Sequence, residues 1–250
     1  MSETRRFLRS AALLAAVNIL IRFVSVSFNA YVSGKIGAEG MGLLTLVMSV
    51  YGMSVTVATS GIHLAAVRLT AEAQSAAERD GDRGRLRAVV RGCAGYSLLF
   101  GVFASVSLFA LSEPIGRALL GDVRTIPSLR ALSFSLPAIS LSSALSGYFT
   151  GVRRVSRNAA VTLLEQFVKI TLSGAALFLL APAGVEYACL AVGGGAAFAE
   201  GASLVTAWLL YLWDRRRFHA PAGREFRRVF GAAFPVAAGA YARQGLRTAE

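Results

Sequence analysis

Apolar residues recur in six long segments that short polar stretches separate. Their approximate limits are Leu8–Ser33, Gly40–Leu69, Gly92–Leu111, Leu129–Gly151, Asn158–Leu180 and Val185–Trp213. Each can form a helix that crosses a hydrocarbon core of about 30 Å, since a helix rises about 1.5 Å per residue. The pattern therefore predicts an all-α, polytopic membrane protein whose residues 1–213 form a six-span bundle. A small interfacial helix is expected between Pro114 and Gly121.

The sequence after the sixth span is first basic and then apolar again. The stretch "DRRRFHAPAGREFRR" is basic and is predicted to be a cytoplasmic linker at 214–228. A further apolar segment begins at Val229, and its outer half carries Arg243, Arg247 and Glu250. An isolated terminal helix tolerates three such charges poorly. We therefore interpret 229–250 as the start of a second bundle, in a chain that looks cut short.

Composition and charge support a membrane protein. Charged residues make up 16% of the chain and the mean hydropathy is +0.56, whereas soluble domains contain about 25% charged residues. The net charge of +12 would also suit nucleic-acid binding. However, the arginines concentrate in alternate loops, which is the positive-inside pattern. This pattern argues against a nucleic-acid partner, and it predicts a multi-pass membrane protein with a cytoplasmic N-terminus.

Polar residues lie at helical spacing inside two of the spans. They are Asn18, Arg22, Ser25 and Asn29 in the first span, and Thr162, Glu165, Gln166, Lys169 and Ser173 in the fifth. Each set falls on one helix face. A charge at the centre of a membrane helix costs about 2.5–3.5 kcal/mol, and each large apolar residue returns about 0.3–0.6. Arg22, Glu165, Lys169 and, in the sixth span, Glu200 are thus predicted to converge on a polar interior.

Several of these residues have a second interpretation. Glu165 precedes Lys169 by four residues, the favoured order for an ion pair that would only fix helix packing. Arg22 has no carboxylate in its own helix, so it needs a partner from another helix or an anionic ligand. His63 could relay protons or be a polar residue near a helix end. Glu200 could line a cavity or pack against serines.

No catalytic motif is present in the sequence. It contains no G-x-S-x-G turn, no H-E-x-x-H and no Walker A lysine, so an enzyme is not expected. Cys93 and Cys189 lie in apolar runs without metal-binding spacing, which favours a packing role. Neither a cofactor nor a metal is predicted.

Longer stretches of the chain resemble a known family. "GAEGMGLLTLVMSVYGM" and "TSGIHLAAVRLTAE" resemble the second-span region of the stage V sporulation protein B group. "LRALSFSLPAISLSSALSGYFTGVRRVSRNAAVTLLEQFVKI" is similar to the fourth and fifth spans of that group, and "FPVAAGAYARQGLRTAE" to its seventh. The group belongs to the polysaccharide-flippase branch of the multidrug/oligosaccharidyl-lipid/polysaccharide (MOP) exporter superfamily. His63 and Ser146 depart from it, where a small residue or proline and an arginine are expected.

The resemblance implies a MATE-like fold, with two six-helix bundles around a cavity that opens alternately to each side. It implies transport of an undecaprenyl-pyrophosphate-linked oligosaccharide or peptidoglycan precursor. The implied substrate-binding residues are Arg22, Glu165, Gln166, Lys169, Arg243 and Arg247. The polar positions inside the spans add Asn18, Asn29, His63 and Glu200 as possible cavity-lining residues. Membrane lipid and cell-wall synthesis proteins are possible partners, and coupling to H⁺ or Na⁺ stays open.

Two other functions remain alternatives at this stage. A drug or cation antiporter of the same fold is expected to have mainly acidic residues in its cavity. The first span has no evident acidic residue, which disfavours this alternative. A membrane scaffold or an inactive truncated fragment is the other alternative.

Overall fold

The computed structural model describes residues 3–59, 61–80, 84–180, 184–215 and 231, and all regular structure in these ranges is helical. The helices are α1 (Glu3–Thr59), α2 (Ile62–Asp80), α3 (Gly84–Pro114), α4 (Ile126–Ser133), α5 (Leu136–Gly151), α6 (Val155–Leu180) and α7 (Val185–Arg215). A π-helical turn (Ile115–Leu119) and a 3₁₀ turn (Val123–Thr125) connect α3 to α4. The first of these lies where the interfacial helix was predicted.

Within these ranges, four stretches are long and apolar enough to cross a membrane: Ala15–Arg79, Leu86–Leu119, Val155–Leu180 and Val185–Asp214. Many large apolar side chains point outward, and Phe178 and Phe198 are 70% and 75% exposed. A water-soluble bundle would bury such side chains, whereas lipid solvates them. The protein is an all-α, multi-pass membrane protein, as predicted.

Helix α1 contains two arms, 3–36 and 38–59, that meet at Gly37. The Gly37 backbone is non-helical, with φ 68° and ψ −174°. This region of backbone space is open to glycine and strains residues with a Cβ. Val32 and Leu43, from opposite sides of the break, belong to one buried cluster with Leu177 of α6. The first arm follows the predicted first span, and the second arm with α2 follows the second.

The predicted second and fourth spans are each broken into two helices. The second breaks between α1 and α2 beside Gly61, whose φ is 69°. The fourth breaks between α4 and α5, where Pro137 occupies the first turn of α5 and cannot donate a backbone hydrogen bond. Ser140 Oγ donates to the Ala58 carbonyl at 2.7 Å. This carbonyl lies in the last turn of α1 and lacks a helical donor, so the start of α5 caps the end of α1.

Glycines bring two pairs of helices unusually close together. A Cβ built at Gly147 of α5 would lie 2.6 Å from the Ala66 Cβ of α2, and one at Gly151 would lie 2.8 Å from the Val67 carbonyl oxygen. A Cβ at Gly195 of α7 would lie 2.7 Å from the Ser173 backbone of α6. Small residues four apart allow this close packing in membranes. The α2–α5 and α6–α7 pairs are therefore packed backbone to backbone.

Ion pairs connect the helices at one end of the bundle. Arg124 Nη2 donates to Asp122 Oδ2 at 2.9 Å, and Arg124 Nη1 to Glu39 Oε1 at 2.8 Å. This links the 3₁₀ turn to α1 just beyond Gly37. The hydrogen bonds from Arg124 lower the pKa of Asp122 from its ordinary value. Arg117 and Arg130 both pair with Glu113, at 2.9 and 3.5 Å.

At the other end, Asp214 joins α5, α6 and α7. Its side chain is 1% exposed and accepts hydrogen bonds from Tyr148 Oη at 3.0 Å and from Arg154 Nη1. Arg157 Nη1 lies 3.4 Å from Asp214 Oδ1. The sequence placed Asp214 in a linker at 214–228, but α7 continues through Arg215 and buries this carboxylate. Apart from Gly231, the remainder of 214–228 and 229–250 lies outside the described residues.

Candidate functional site

The polar faces predicted on α1 and α6 meet through one hydrogen bond. Gln166 Nε2 donates to Ser25 Oγ at 2.8 Å. Farther along both helices, a Cβ built at Gly174 would lie 4.0 Å from the Phe28 ring. Because both contacts advance in the same direction along the chain, the first arm of α1 runs parallel to α6.

This pairing sets the spacing of two cationic residues. Arg22 lies one turn before Ser25, and Lys169 lies one turn after Gln166. At about 1.5 Å per residue, their backbones are about 9 Å apart along the helix axes. Asn18 and Asn29 flank Arg22 and Ser25 on the same arm, and both asparagines and Arg22 are exposed, whereas Lys169 is half-buried.

The acidic residues lie on the side of this face that meets α7. Ser203 Oγ of α7 donates to Glu165 Oε2 at 2.8 Å. Glu200, one turn before Ser203, is close enough to Glu165 and Lys169 to interact with both electrostatically. The structure thus brings Glu165, Lys169 and Glu200 into one cluster between α6 and α7.

The ion pair favoured by the Glu165–Lys169 spacing is not formed. Glu165 is held by Ser203 instead, and its interaction with Lys169 is a longer-range electrostatic one. Within the described ranges, neither Arg22 nor Lys169 forms an ion pair or a side-chain hydrogen bond. Both cations therefore remain available to an anionic group that enters this face.

Tyr51 is a member of the cluster that sequence reasoning missed. Tyr51 Oη lies 2.6 Å from Ser135 Oγ, at the break between α4 and α5. Since Ser135 donates its proton to the Leu132 carbonyl at 2.7 Å, Tyr51 is the donor to Ser135. The Tyr51 side chain also lies within electrostatic range of Glu165 and Glu200. A tyrosine inside an apolar run carries no periodic signal that could have identified it.

The remaining predicted residues fall elsewhere. His63 Nδ1 lies 3.3 Å from the Ser143 carbonyl oxygen, at the contact of α2 with α5. Across the described ranges, no hydrogen bond or ion pair joins His63 to Glu165 or Lys169. Arg243 and Arg247 lie outside the described residues. Among the residues that are described, no group of three or more His, Cys, Asp or Glu could hold a metal ion.

Comparison with known proteins agrees with this architecture. The family described as "Polysaccharide biosynthesis protein" matches residues 7–246. Stage V sporulation protein B of Bacillus subtilis (strain 168) is 27% identical over 210 residues, which are 84% of this chain and 40% of that protein. The crystal structure of MATE in complex with Br-NRF has a TM-score of 0.61 at 14% identity, covering 96% of this chain and 58% of the other. The MATE-like fold is thus confirmed, and the chain spans only part of the length of either protein.

Proposed function

The chain belongs to the polysaccharide biosynthesis protein family, and we propose that it acts in a lipid-linked saccharide flippase. The proposed substrate is an undecaprenyl-pyrophosphate-linked oligosaccharide or peptidoglycan precursor. It would cross the bacterial cytoplasmic membrane by alternating access, with the N-terminus of the protein in the cytoplasm. Family membership agrees with the prediction that the chain is not an enzyme.

The exposure of Arg22 deep in a membrane span is the observation that carries this proposal. Arg22 lies fourteen residues into the predicted first span, or about 21 Å along the helix. An arginine that faced hydrocarbon at this depth would cost about 2.5–3.5 kcal/mol or more. Since no described acidic residue pairs with it, the exposed face of α1 fits a water-filled cavity that receives an anion.

The geometry of the two cations suits a pyrophosphate. Guanidinium and ammonium groups form strong, charge-assisted hydrogen bonds with phosphate oxygens. Arg22 and Lys169 stand about 9 Å apart along the axes, and their flexible side chains can approach the two phosphates of one headgroup from either side. The Ser25–Gln166 bond holds this spacing. Arg243 and Arg247 would contribute further cations from the second bundle.

Binding of an undecaprenyl-pyrophosphate-linked sugar to the purified protein tests the proposal. Arg22→Ala and Lys169→Ala should each weaken binding by roughly 10- to 150-fold, because a hydrogen bond to a charged group contributes about 1.5–3 kcal/mol. Arg68→Ala is the matched control, since Arg68 is exposed on α2 and pairs with Glu72 at 3.0 Å. Affinity that is unchanged in both cavity variants would refute the assigned roles.

The carboxylates favour one second candidate, a MATE-type drug or cation antiporter. Glu165 and Glu200 lie within electrostatic range of each other and of Tyr51, and two carboxylates in one cluster could attract a cationic substrate. Export of a cationic dye from cells that is lost in Glu200→Gln, without binding of the lipid-linked sugar, would support this function over the flippase.

A further inference from the structure

The turn between α5 and α6 holds an arginine in a backbone conformation that normally belongs to glycine. Arg153 has a φ of 58°. The Arg154 amide donates to the Phe149 carbonyl at 2.8 Å and the Arg153 amide to the Thr150 carbonyl at 3.0 Å. These two bonds form a Schellman motif, in which the left-handed position usually carries glycine because a Cβ is strained there. A side chain kept at such a position points to a role for that side chain.

Two guanidinium groups contact a single carboxylate at this turn, and a third arginine precedes them in the chain. Arg154 and Arg157 contact the buried Asp214, whose carboxylate also accepts from the neutral Tyr148 hydroxyl. Arg153 is exposed. Arg157 Nη1 is buried and makes no hydrogen bond to any described residue. The turn therefore carries excess positive charge together with a donor that lacks an acceptor.

Two neighbouring side chains indicate the depth of this cluster in the membrane. The Arg157 guanidinium lies 5.4 Å from the centre of the Trp213 ring, and Trp213 is 60% exposed. Tryptophans at helix ends occupy the interface between headgroups and hydrocarbon. Leu209, one turn before Trp213, is also 60% exposed and continues the same face toward the hydrocarbon.

From these observations we propose that the α5–α6 turn binds the phosphate of an anionic phospholipid headgroup, with Arg153 and Arg157 as donors. Trp213 and Leu209 contact the glycerol and acyl portions of that lipid. A phosphate at headgroup depth accepts charge-assisted hydrogen bonds from both guanidinium groups. The exposed apolar face beside the cluster suits a lipid better than a soluble anion. This site is independent of the transport function proposed above.

Thermal unfolding of the purified protein in detergent tests the site, with and without added phosphatidylglycerol or zwitterionic phosphatidylcholine. Phosphatidylglycerol should raise the Tm of the wild type more than phosphatidylcholine does. Arg153→Asn removes the charge while keeping a residue that tolerates the left-handed conformation. This variant should lose roughly half or more of the phosphatidylglycerol shift. In detergent alone it should melt at the same or a higher temperature, as should Arg153→Gly.

The control is Arg68→Asn, which removes an exposed arginine elsewhere and should keep the full shift. The proposal is overturned if Arg153→Asn keeps the full phosphatidylglycerol shift. It is also overturned if Arg68→Asn loses as much, because the effect would then be general surface charge. Stabilisation by an undecaprenyl-pyrophosphate-linked sugar but not by phosphatidylglycerol would likewise overturn it, since the turn would then contact transported substrate.

Discussion

Replacing Asp214 by alanine should destabilise the bundle more than any change to its surface ion pairs. The substitution leaves Arg154 and Arg157 without their carboxylate and Tyr148 without an acceptor. Removal of one partner from a buried pair costs about 3–5 kcal/mol. The two arginine side chains are 30% and 23% exposed, so water recovers part of their hydration. We therefore expect a loss near the lower limit, about 3 kcal/mol of unfolding free energy.

Reversible unfolding by a denaturing detergent in mixed micelles measures this loss. A double-mutant cycle with Tyr148→Phe then isolates one of the contacts. Tyr148→Phe alone should cost about 1.5–3 kcal/mol, because its hydroxyl donates to a charged acceptor. In the Asp214→Ala background the same change should cost almost nothing. Glu113→Ala is the control, since Glu113 is 49% exposed and pairs of this kind contribute about 1 kcal/mol or less.

Two results would contradict this reasoning. If Asp214→Ala lowers the unfolding free energy by less than about 1 kcal/mol, the carboxylate contributes no more than an ordinary surface charge. An equal cost of Tyr148→Phe in both backgrounds would show that the hydroxyl does not depend on Asp214.

Two further changes test the packing and the site. Gly151→Ala should cost about 1–3 kcal/mol of unfolding free energy, because the new Cβ would lie 2.8 Å from the Val67 carbonyl oxygen. Gly194→Ala is the control and should be neutral or stabilising, because a Cβ at Gly194 would have no atom within 4 Å. Equal effects of the two substitutions on unfolding free energy would contradict the packing argument. Gln166→Leu removes the bond to Ser25, so binding of the lipid-linked sugar should weaken several-fold while the protein stays folded; undiminished binding in a titration would show that this bond does not set the cation spacing.

The sequence predicted a multi-pass helical membrane protein, with six candidate membrane paths, because lipid imposes a strong constraint on the length and polarity of each segment. It did not predict that two of these paths are broken, although Pro137 and Gly61 stand at the breaks. Proline and glycine also occur within unbroken membrane helices, where neighbouring groups form hydrogen bonds with the backbone groups that lose their helical partners. Here Ser140 supplies the compensating donor to Ala58, and only the folded arrangement shows that these two residues meet.

The sequence did not indicate the contacts that depend on a neighbouring helix. The spacing within α6 suggested that Glu165 pairs with Lys169, but Ser203 of α7 takes the carboxylate. The burial of Asp214 could not be predicted from the sequence either. It results from contacts with α5 and α6, whereas the residues next to Asp214 in the sequence are basic. Periodicity identifies which residues share a face, and it contains no information about which other face will meet them.

The close helix contacts differ in how far apart they lie along the chain, and this has a consequence for assembly during synthesis. The bond from Ser173 to Val192, between α6 and α7, joins residues 19 apart, whereas the contact of His63 with Ser143, between α2 and α5, joins residues 80 apart. Local contacts close with a smaller loss of chain entropy and form sooner. The α6–α7 hairpin can thus form as soon as both helices have entered the bilayer. Helix α2 can pack against α5 only after α3, α4 and α5 have been inserted. Until then, the face of α2 that contacts Gly147 and Gly151 stays uncovered.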